Sequence, residues 1–533
     1  MPQPAAPSRL APSRHLVARN VVATSQPLAS RAGLRMLEMG GNAVDAAIAA
    51  AAALMVVEPV SSGLGADAFA LVWDGNRVHA LNASGSAPQA RRATPLADLG
   101  WPSVTVPGAV AGWAALSKKF GALPFRELLQ PAFELARDGY AVTPTISRVW
   151  RGLLPMYLKF PEVLKQFYPG GRGPEPGSVV RLPQLADSLD TIGATHGAAL
   201  YSGDLARQIV AYARSSGGDI GMEDLASHRA DWVEPLSVNY RGARLHEMPP
   251  NSQGVAALIA LGILAHFELA QYSSDSADSM HLQIEAMKLA LADVYAHVAD
   301  PQAMRIDVAE LLDSQRLKTL AQCISTSEAR FPVQATAPQS GGTSYLASAD
   351  ASGMMVSYIQ SSGPGFGSGV MVPDTGIALQ SRAGAFHSDP RHPNAYAPGK
   401  RPFHTNCPAL LTVDREAHMA FGLMGWTMQP QAHVQFVVRA VDYGEEPLAI
   451  LAAPRWRIAF LQPAILLEAG CDPAVAANLA ARGHRIDSTE KWLPAATPFG
   501  SQLMFGGANL VTRVEDGYSA ICDTRRDGAP AGF

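Results

Sequence analysis

Ser340-Gly341-Gly342-Thr343-Ser344-Tyr345-Leu346-Ala347-Ser348-Ala349-Asp350 sets a glycine pair directly before a threonine that opens an alternating, strand-like run. These residue types suit a chain that cuts itself. Glycine tolerates the strained backbone conformations that a peptide bond adopts when a neighbouring hydroxyl attacks it, and Thr343 supplies such a hydroxyl. Once the Gly342-Thr343 bond is broken, the new α-amine, with a pKa of ~7.7–8.0, deprotonates the hydroxyl of its own residue near neutral pH. One residue is then nucleophile and base. Gly-Gly-Thr before a strand is also the ordinary sequence of a turn, so the weight falls on the rest of the chain.

The chain has 533 residues, 48% hydrophobic and 17% charged, with 47 Gly and 40 Pro. That describes a loop-rich globular protein with a large core, not a disordered one. A net charge of -4 gives no general electrostatic reason to expect nucleic acid or an anionic membrane as partner. Cys323, Cys407, Cys471 and Cys522 are scattered without a Cys-x-x-Cys pair, which argues against a zinc cluster, a redox pair or a disulfide framework. The N-terminus carries Pro and Arg but no continuous apolar core, against a secretory signal. The longest apolar run, 46–57, is too short to span a bilayer, and the expected location is cytoplasmic.

Residues 1–18 read as a flexible tail, and the fold is expected to begin at Val21. A helix with Leu34 and Leu37 on one face ends at Gly40-Gly41. Asn42, with Asp45 three residues on, caps a second helix, which is apolar on every side through Val57 and so predicted to be buried. A strand over 69–73 turns at Asp74-Gly75-Asn76 into a second over 78–81. Residues 115–325 read as mainly helical, and 323–340 as a loop exposed before cleavage. Short strands follow at 343–349, 354–360 and 376–380.

The run Gly40-Gly41-Asn42-Ala43-Val44-Asp45-Ala46-Ala47, followed by Val57-Glu58-Pro59 and Ser61-Ser62-Gly63-Leu64-Gly65, resembles the gamma-glutamyltransferase family. Matches continue in order through Val106-Pro107-Gly108, Tyr240-Arg241-Gly242, Met248-Pro249-Pro250, Pro398-Gly399-Lys400-Arg401-Pro402 and Arg525-Arg526-Asp527-Gly528. The resemblance implies an α/β fold, the four-layer αββα sandwich of the N-terminal nucleophile hydrolases. It implies a zymogen of glutathione metabolism that cuts itself into a large chain, 19–342 behind the tail, and a small chain, 343–533, which stay together as one αββα unit. No cofactor and no metal are implied. The partners expected are a small amide substrate and the protein's own processed chains; homo-oligomerisation is left open.

By resemblance, Thr343 is the nucleophile, Gly342-Thr343 the cut, and Ser361 the second hydroxyl that steadies it; a strand-end serine bonded to a turn is the plainer reading of Ser361. Gly363 belongs to a glycine loop that approaches substrate. Gly425 and Trp426 match the pair whose N–H groups stabilise the oxyanion, with Trp426 in place of a second glycine. For the substrate carboxylate the resemblance offers Arg91 or Arg92, and His404 and Thr405 stand where the family has a serine pair.

Two departures bear on the acyl group. Ala385 replaces the acid that holds a γ-glutamyl α-amine, and Arg382 replaces a glutamine. Burying an ammonium without its partner is costly, whereas Arg382 offers a bidentate carboxylate clamp; it reads equally as a structural ion-pair partner. The pattern resembles the hydrolase branch of the family more than its glutathione-processing enzymes. The His387-Ser388-Asp389-Pro390-Arg391-His392 cluster sits on a Pro-interrupted loop without metal-ligand spacing. The expected function is therefore hydrolysis or transfer of γ-glutamyl or similar amides through a Thr343 ester. The alternatives are an acylase for glutaryl-type groups on the same scaffold, and an unprocessed binding homologue without catalysis.

Overall fold

The computed structural model describes residues 14–90, 97–332, 342–459, 464–487 and 504–533. Two seven-stranded sheets lie face to face between layers of helices. One sheet runs in the order Ala531–Gly532, Val21–Thr24, Ser344–Ala349, Met355–Ser361, Asp67–Trp73, Val78–Ala83, Asp231–Val233. The other runs Arg14–Ala18, Gly517–Cys522, Gly507–Val514, Glu416–Met424, Ala409–Val413, Ala243–Glu247, Leu236–Tyr240. All the pairings within both sheets are antiparallel. This is the expected αββα sandwich.

The pleat explains the layers. Side chains alternate across a strand, so Tyr345, Ala347, Phe69, Leu71 and Ile359 enter the core between the sheets, against Leu410, Ala420 and Val511. Their neighbours Leu346, Ala70, Val72, Val356 and Tyr358 face the helices Pro27–Glu38, Ala43–Val57 and Ala109–Phe120. On the far side, Leu245, Leu411, Phe421 and Leu510 pack against Val255–Leu264, Ala277–His297 and Met428–Val441. Both sheets are covered on both faces, so the strands read as nearly continuous apolar runs. Between the sheets, a Cβ at Gly422 would lie 2.5 Å from the Tyr345 ring, so only glycine admits that ring.

Asn42 caps Ala43–Val57 in a capping box with Asp45, and all fifteen residues of the helix are buried. Its alanines let the helix lie close on the Ser344–Ala349 strand. There Ser348 Oγ donates to Ala43 O at 2.7 Å, and the Ala43 N–H donates to Asp350 Oδ2 at 2.6 Å. The strand that follows Thr343 is thus tied to a helix start at its far end.

Several expectations are corrected. The tail does not extend to residue 18: Arg14–Ala18 is an edge strand on Gly517–Cys522, and residues 1–13 lie outside the described part. The buried face of Pro27–Glu38 is Ala29, Ala32, Gly33, Met36 and Leu37, with Leu34 only half-buried. Residues 115–325 are not all cover: Asp231–Val233 and Leu236–Tyr240 are edge strands, one of each sheet, and Ala243–Glu247 lies next to the edge, between Leu236–Tyr240 and Ala409–Val413. Tyr240-Arg241-Gly242 is the hairpin turn between Leu236–Tyr240 and Ala243–Glu247, with Arg241 and Gly242 both at positive φ. The strand expected at 376–380 reduces to Ile377–Ala378, paired with Met371–Val372. Among the described residues, no helix is long and apolar enough to cross a membrane.

Candidate active site

Strand register assembles the site. Ser344 pairs with Gln360, which sets Thr343 opposite Ser361 one step beyond, and Ser361 pairs in turn with Asp67 on the next strand. Thr343, Ser361 and Asp67 therefore form one row across three adjacent strands. The Thr343 hydroxyl donates to Ser361 Oγ at 3.4 Å, and the Ser361 hydroxyl donates to the carbonyl oxygen of Gly342. The Gly363 N–H donates to Ser361 Oγ at 3.2 Å. Thr343 is 2% exposed and Ser361 wholly buried.

Gly342 stands at φ +80, and a Cβ there would lie 2.4 Å from Gly363 O and 3.0 Å from Val60 O. The glycine before the threonine is thus required by both dihedral and space. Gly341 lies outside the described residues, and so do Arg91 and Arg92.

Arg382 opens a short turn, Arg382–Ala385, delivered by a segment laid beside Gly65: Gln380 N donates to Gly65 O at 3.0 Å and Ser381 N to Ser362 O at 2.9 Å. The guanidinium is 1% exposed. It donates through Nη2 to Ser361 Oγ and through Nη1 to Thr405 Oγ1 at 3.3 Å. In the uncut chain it is therefore engaged by the two hydroxyls. Burial lowers its pKa to about 10, partly offset by the negative charge of Asp67.

His404 is fully buried with its ring edge-on to Phe69 at 4.8 Å. Burial and the adjacent Arg382 charge hold its pKa well below the ordinary value, so it is a neutral imidazole. Asp67 accepts from Gly85 N at 2.9 Å and Gln380 Nε2 at 2.8 Å. Burial raises its pKa to about 7, against the opposing pull of Gln380 and Arg382. Gln253 bridges two site segments, donating to Thr405 O at 2.5 Å and Trp426 O at 2.8 Å.

At the candidate oxyanion pair, Gly425 has φ +148 and Trp426 φ +61. A bulky residue in the left-handed region is strained, and Trp426 holds it while its ring is only half-buried. Ala385 is buried, its carbonyl accepting from Asn394 Nδ2 at 2.8 Å. Asp67, Gln253 and Gln380 were missed by the sequence reading; only Asp67 gave a signal, as an acid opening an otherwise apolar strand.

Among the described residues, one trio brings potential metal ligands together: Glu247, Cys407 and His433, with ligand atoms within 4.8 Å of one another. His433 Nδ1 and Glu247 Oε1 are already bonded at 2.5 Å, and burial pushes the Cys407 thiol well above its ordinary pKa. Glu247 Oε2 and His433 Nε2 have no hydrogen-bond partner, but the neutral thiol, which donates to Gln429 Oε1 at 3.5 Å, is a poor metal ligand. The His387 and His392 rings stack at 4.0 Å.

An αββα sandwich that buries a Thr–Ser–Arg cluster at a glycine-preceded strand start defines an amide hydrolase of the N-terminal nucleophile class. Residues 29–533 match the model of the gamma-glutamyltranspeptidase family, and the chain belongs to that family. It is 35% identical, over 82% of its length and 85% of the relative's, to a glutathione hydrolase-like proenzyme of Bacillus subtilis. It is 33% identical to the oxamate amidohydrolase proenzyme of Klebsiella pneumoniae, over 95% and 97% of the two chains. The crystal structure of a cephalosporin acylase from Bacillus halodurans superposes with a TM-score of 0.90 at 40% identity, covering 100% of this chain and 99% of the other.

Proposed function

We propose that Thr343 is the nucleophile of an amidohydrolase that first cuts its own Gly342-Thr343 bond and then hydrolyses or transfers the acyl group of γ-glutamyl and related amides. The observation that carries this reading is the hydrogen-bonded chain from the Thr343 hydroxyl through Ser361 to the Gly342 carbonyl. In the first reaction Thr343 Oγ1 bonds to the Gly342 carbonyl carbon while its proton passes to Ser361, whose own proton passes to the carbonyl oxygen. Collapse expels the Thr343 nitrogen as an amine and leaves an ester, which water hydrolyses. The two products, 1–342 and 343–533, stay together because the Ser344–Ala349 strand lies between Val21–Thr24 and Met355–Ser361. In turnover, the freed amine takes the Thr343 proton, and Gly425 and Trp426 are the backbone donors for the substrate oxyanion.

Glutathione hydrolase-like, oxamate amidohydrolase and cephalosporin acylase relatives agree on amide chemistry and differ in acyl group. A second reading, a glutaryl-type acyl group, is favoured by buried Ala385, which gives an α-ammonium no partner. Four free cysteines support a reducing, cytoplasmic setting. On a denaturing gel the purified protein should run as two fragments and Thr343→Ala as one; a single full-length band that still turns over substrate refutes the mechanism. Rates with γ-glutamyl- and glutaryl-p-nitroanilide separate the two acyl groups.

A further inference from the structure

His404 Nε2 and Asp67 Oδ2 face each other at 3.4 Å, both side chains wholly buried. Neither atom has a hydrogen-bond partner, and their 3.4 Å approach is a charge–dipole contact rather than a hydrogen bond. The imidazole tautomer follows from its other nitrogen: the Asn406 N–H donates to His404 Nδ1 at 3.1 Å, so the ring proton of the neutral imidazole is on Nε2, toward the carboxylate. The residue after His404 is Thr405, whose hydroxyl accepts from Arg382; Arg382 also donates to Ser361. An unpaired buried carboxylate is costly unless something nearby uses its charge. The groups acting on Asp67 are His404, Gln380, the Gly85 N–H and the cations Arg382 and Arg401, with the Tyr201 phenol also within its field. Of these, Arg382 reaches the Thr343–Ser361 pair directly, and His404 is linked to it through Thr405 and Arg382.

We propose that Asp67 is a positioning residue for the Thr343 nucleophile: its carboxylate anchors the His404 ring and balances the Arg382 guanidinium, so that Arg382 holds Ser361 against Thr343. Asp67 touches no substrate. It acts from the same strand row as Ser361, one strand further from the cut.

The proposal rests on Thr343 being the nucleophile, and the test separates the two. If that reading is wrong, the parent protein stays uncut and inactive and both fall together. If only this one is wrong, the parent is cut and active and Asp67→Asn behaves like it. The measurement is the pH dependence of kcat/KM for cut parent and cut Asp67→Asn. Both keep the Thr343 α-amine, with its pKa of ~7.7–8.0; only the parent keeps the carboxyl, which titrates at about 7. The acid limb is expected to fall with a slope of about two protons in the parent and about one in Asp67→Asn, with kcat lowered about tenfold to a hundredfold and KM little changed. An acid limb of unchanged slope overturns the proposal, whatever the rate. Should Asp67→Asn fail to fold, His404→Asn keeps an acceptor for the Asn406 N–H while withdrawing the proton from Asp67. Its acid limb is expected to move to higher pH, and an unmoved limb is equally fatal.

Discussion

The hydroxyl of Ser361 donates to the carbonyl oxygen of Gly342, the group that self-cleavage would attack. A donor already aimed at the atom where negative charge develops lowers the barrier most when it needs no reorganisation. Ser361→Ala should therefore cut itself about a hundredfold more slowly, followed as the fraction of cleaved chain on denaturing gels over time. Cleavage at the parental rate would remove Ser361 from the reaction.

Gly342→Ala tests the backbone on the other side of the same bond. The position holds φ +80 with Gly363 O at 2.4 Å from a built Cβ. The left-handed conformation alone costs an L-residue about 1–2 kcal/mol, and the crowding carbonyl belongs to backbone that cannot swing aside. The expected result is slowed or abolished cutting in a protein whose far-ultraviolet circular dichroism matches the parent. An alanine variant cut as fast as the parent would show that the bond is not held in this geometry.

Arg382→Met removes one of the two cations acting on Asp67, leaving Arg401. The cost should be below the ~3–5 kcal/mol of breaking a direct buried pair, readable by urea denaturation at pH 8, where the Asp67 carboxyl, with a pKa raised to about 7, is ionised. At pH 5 the carboxyl is protonated and the loss should shrink. The double variant Asp67→Asn/Arg382→Met should regain most of the stability at pH 8; a double variant as unstable as the single would mean the two charges do not depend on each other.

Glu58, whose carboxyl is acted on by the Ser344 side chain next to Thr343, gives a second pH dependence of stability. It is 1% exposed, accepts from Ser25 Oγ at 3.0 Å, and burial raises its pKa from 4.5 to about 7 despite the Arg526 charge nearby. A carboxyl that binds its proton more tightly when folded stabilises the fold below pH 4.5 and loses that contribution as pH rises through about 7. Glu58→Gln, which resembles the protonated acid, should match the parent in thermal unfolding at pH 5 and exceed it at pH 8. A higher melting temperature for the parent at pH 8 would show that the Glu58 carboxylate is stabilised, not strained.

The capped, all-buried helix behind Asn42 was legible because its signals are local: a capping residue, an acid three positions on, and otherwise apolar residues whose alanines permit close packing. The hairpin around Asp74-Gly75-Asn76 was legible for the same reason. The strands 236–240 and 243–247 were obscured by their helical surroundings and half-exposed faces. Thr343, Ser361 and Arg382 were singled out through ordered motif matches, but what Arg382 touches could not be read, because its two hydroxyl partners lie 21 and 23 residues away along an irregular path.

The sequence by itself determined the glycine-preceded threonine at the start of a strand and the absence of an acid at position 385, since each rests on residue type and local order, while the αββα class followed from its ordered resemblance to a family. Only the tertiary structure decided that Asp67, almost three hundred residues before Ser361, shares a strand row with it. It likewise decided that Arg382 is turned inward to Ser361 and Thr405, not left free. Register across antiparallel strands sets those neighbours, and register depends on which strands pair, a property of the packed sheets and not of any one stretch of chain.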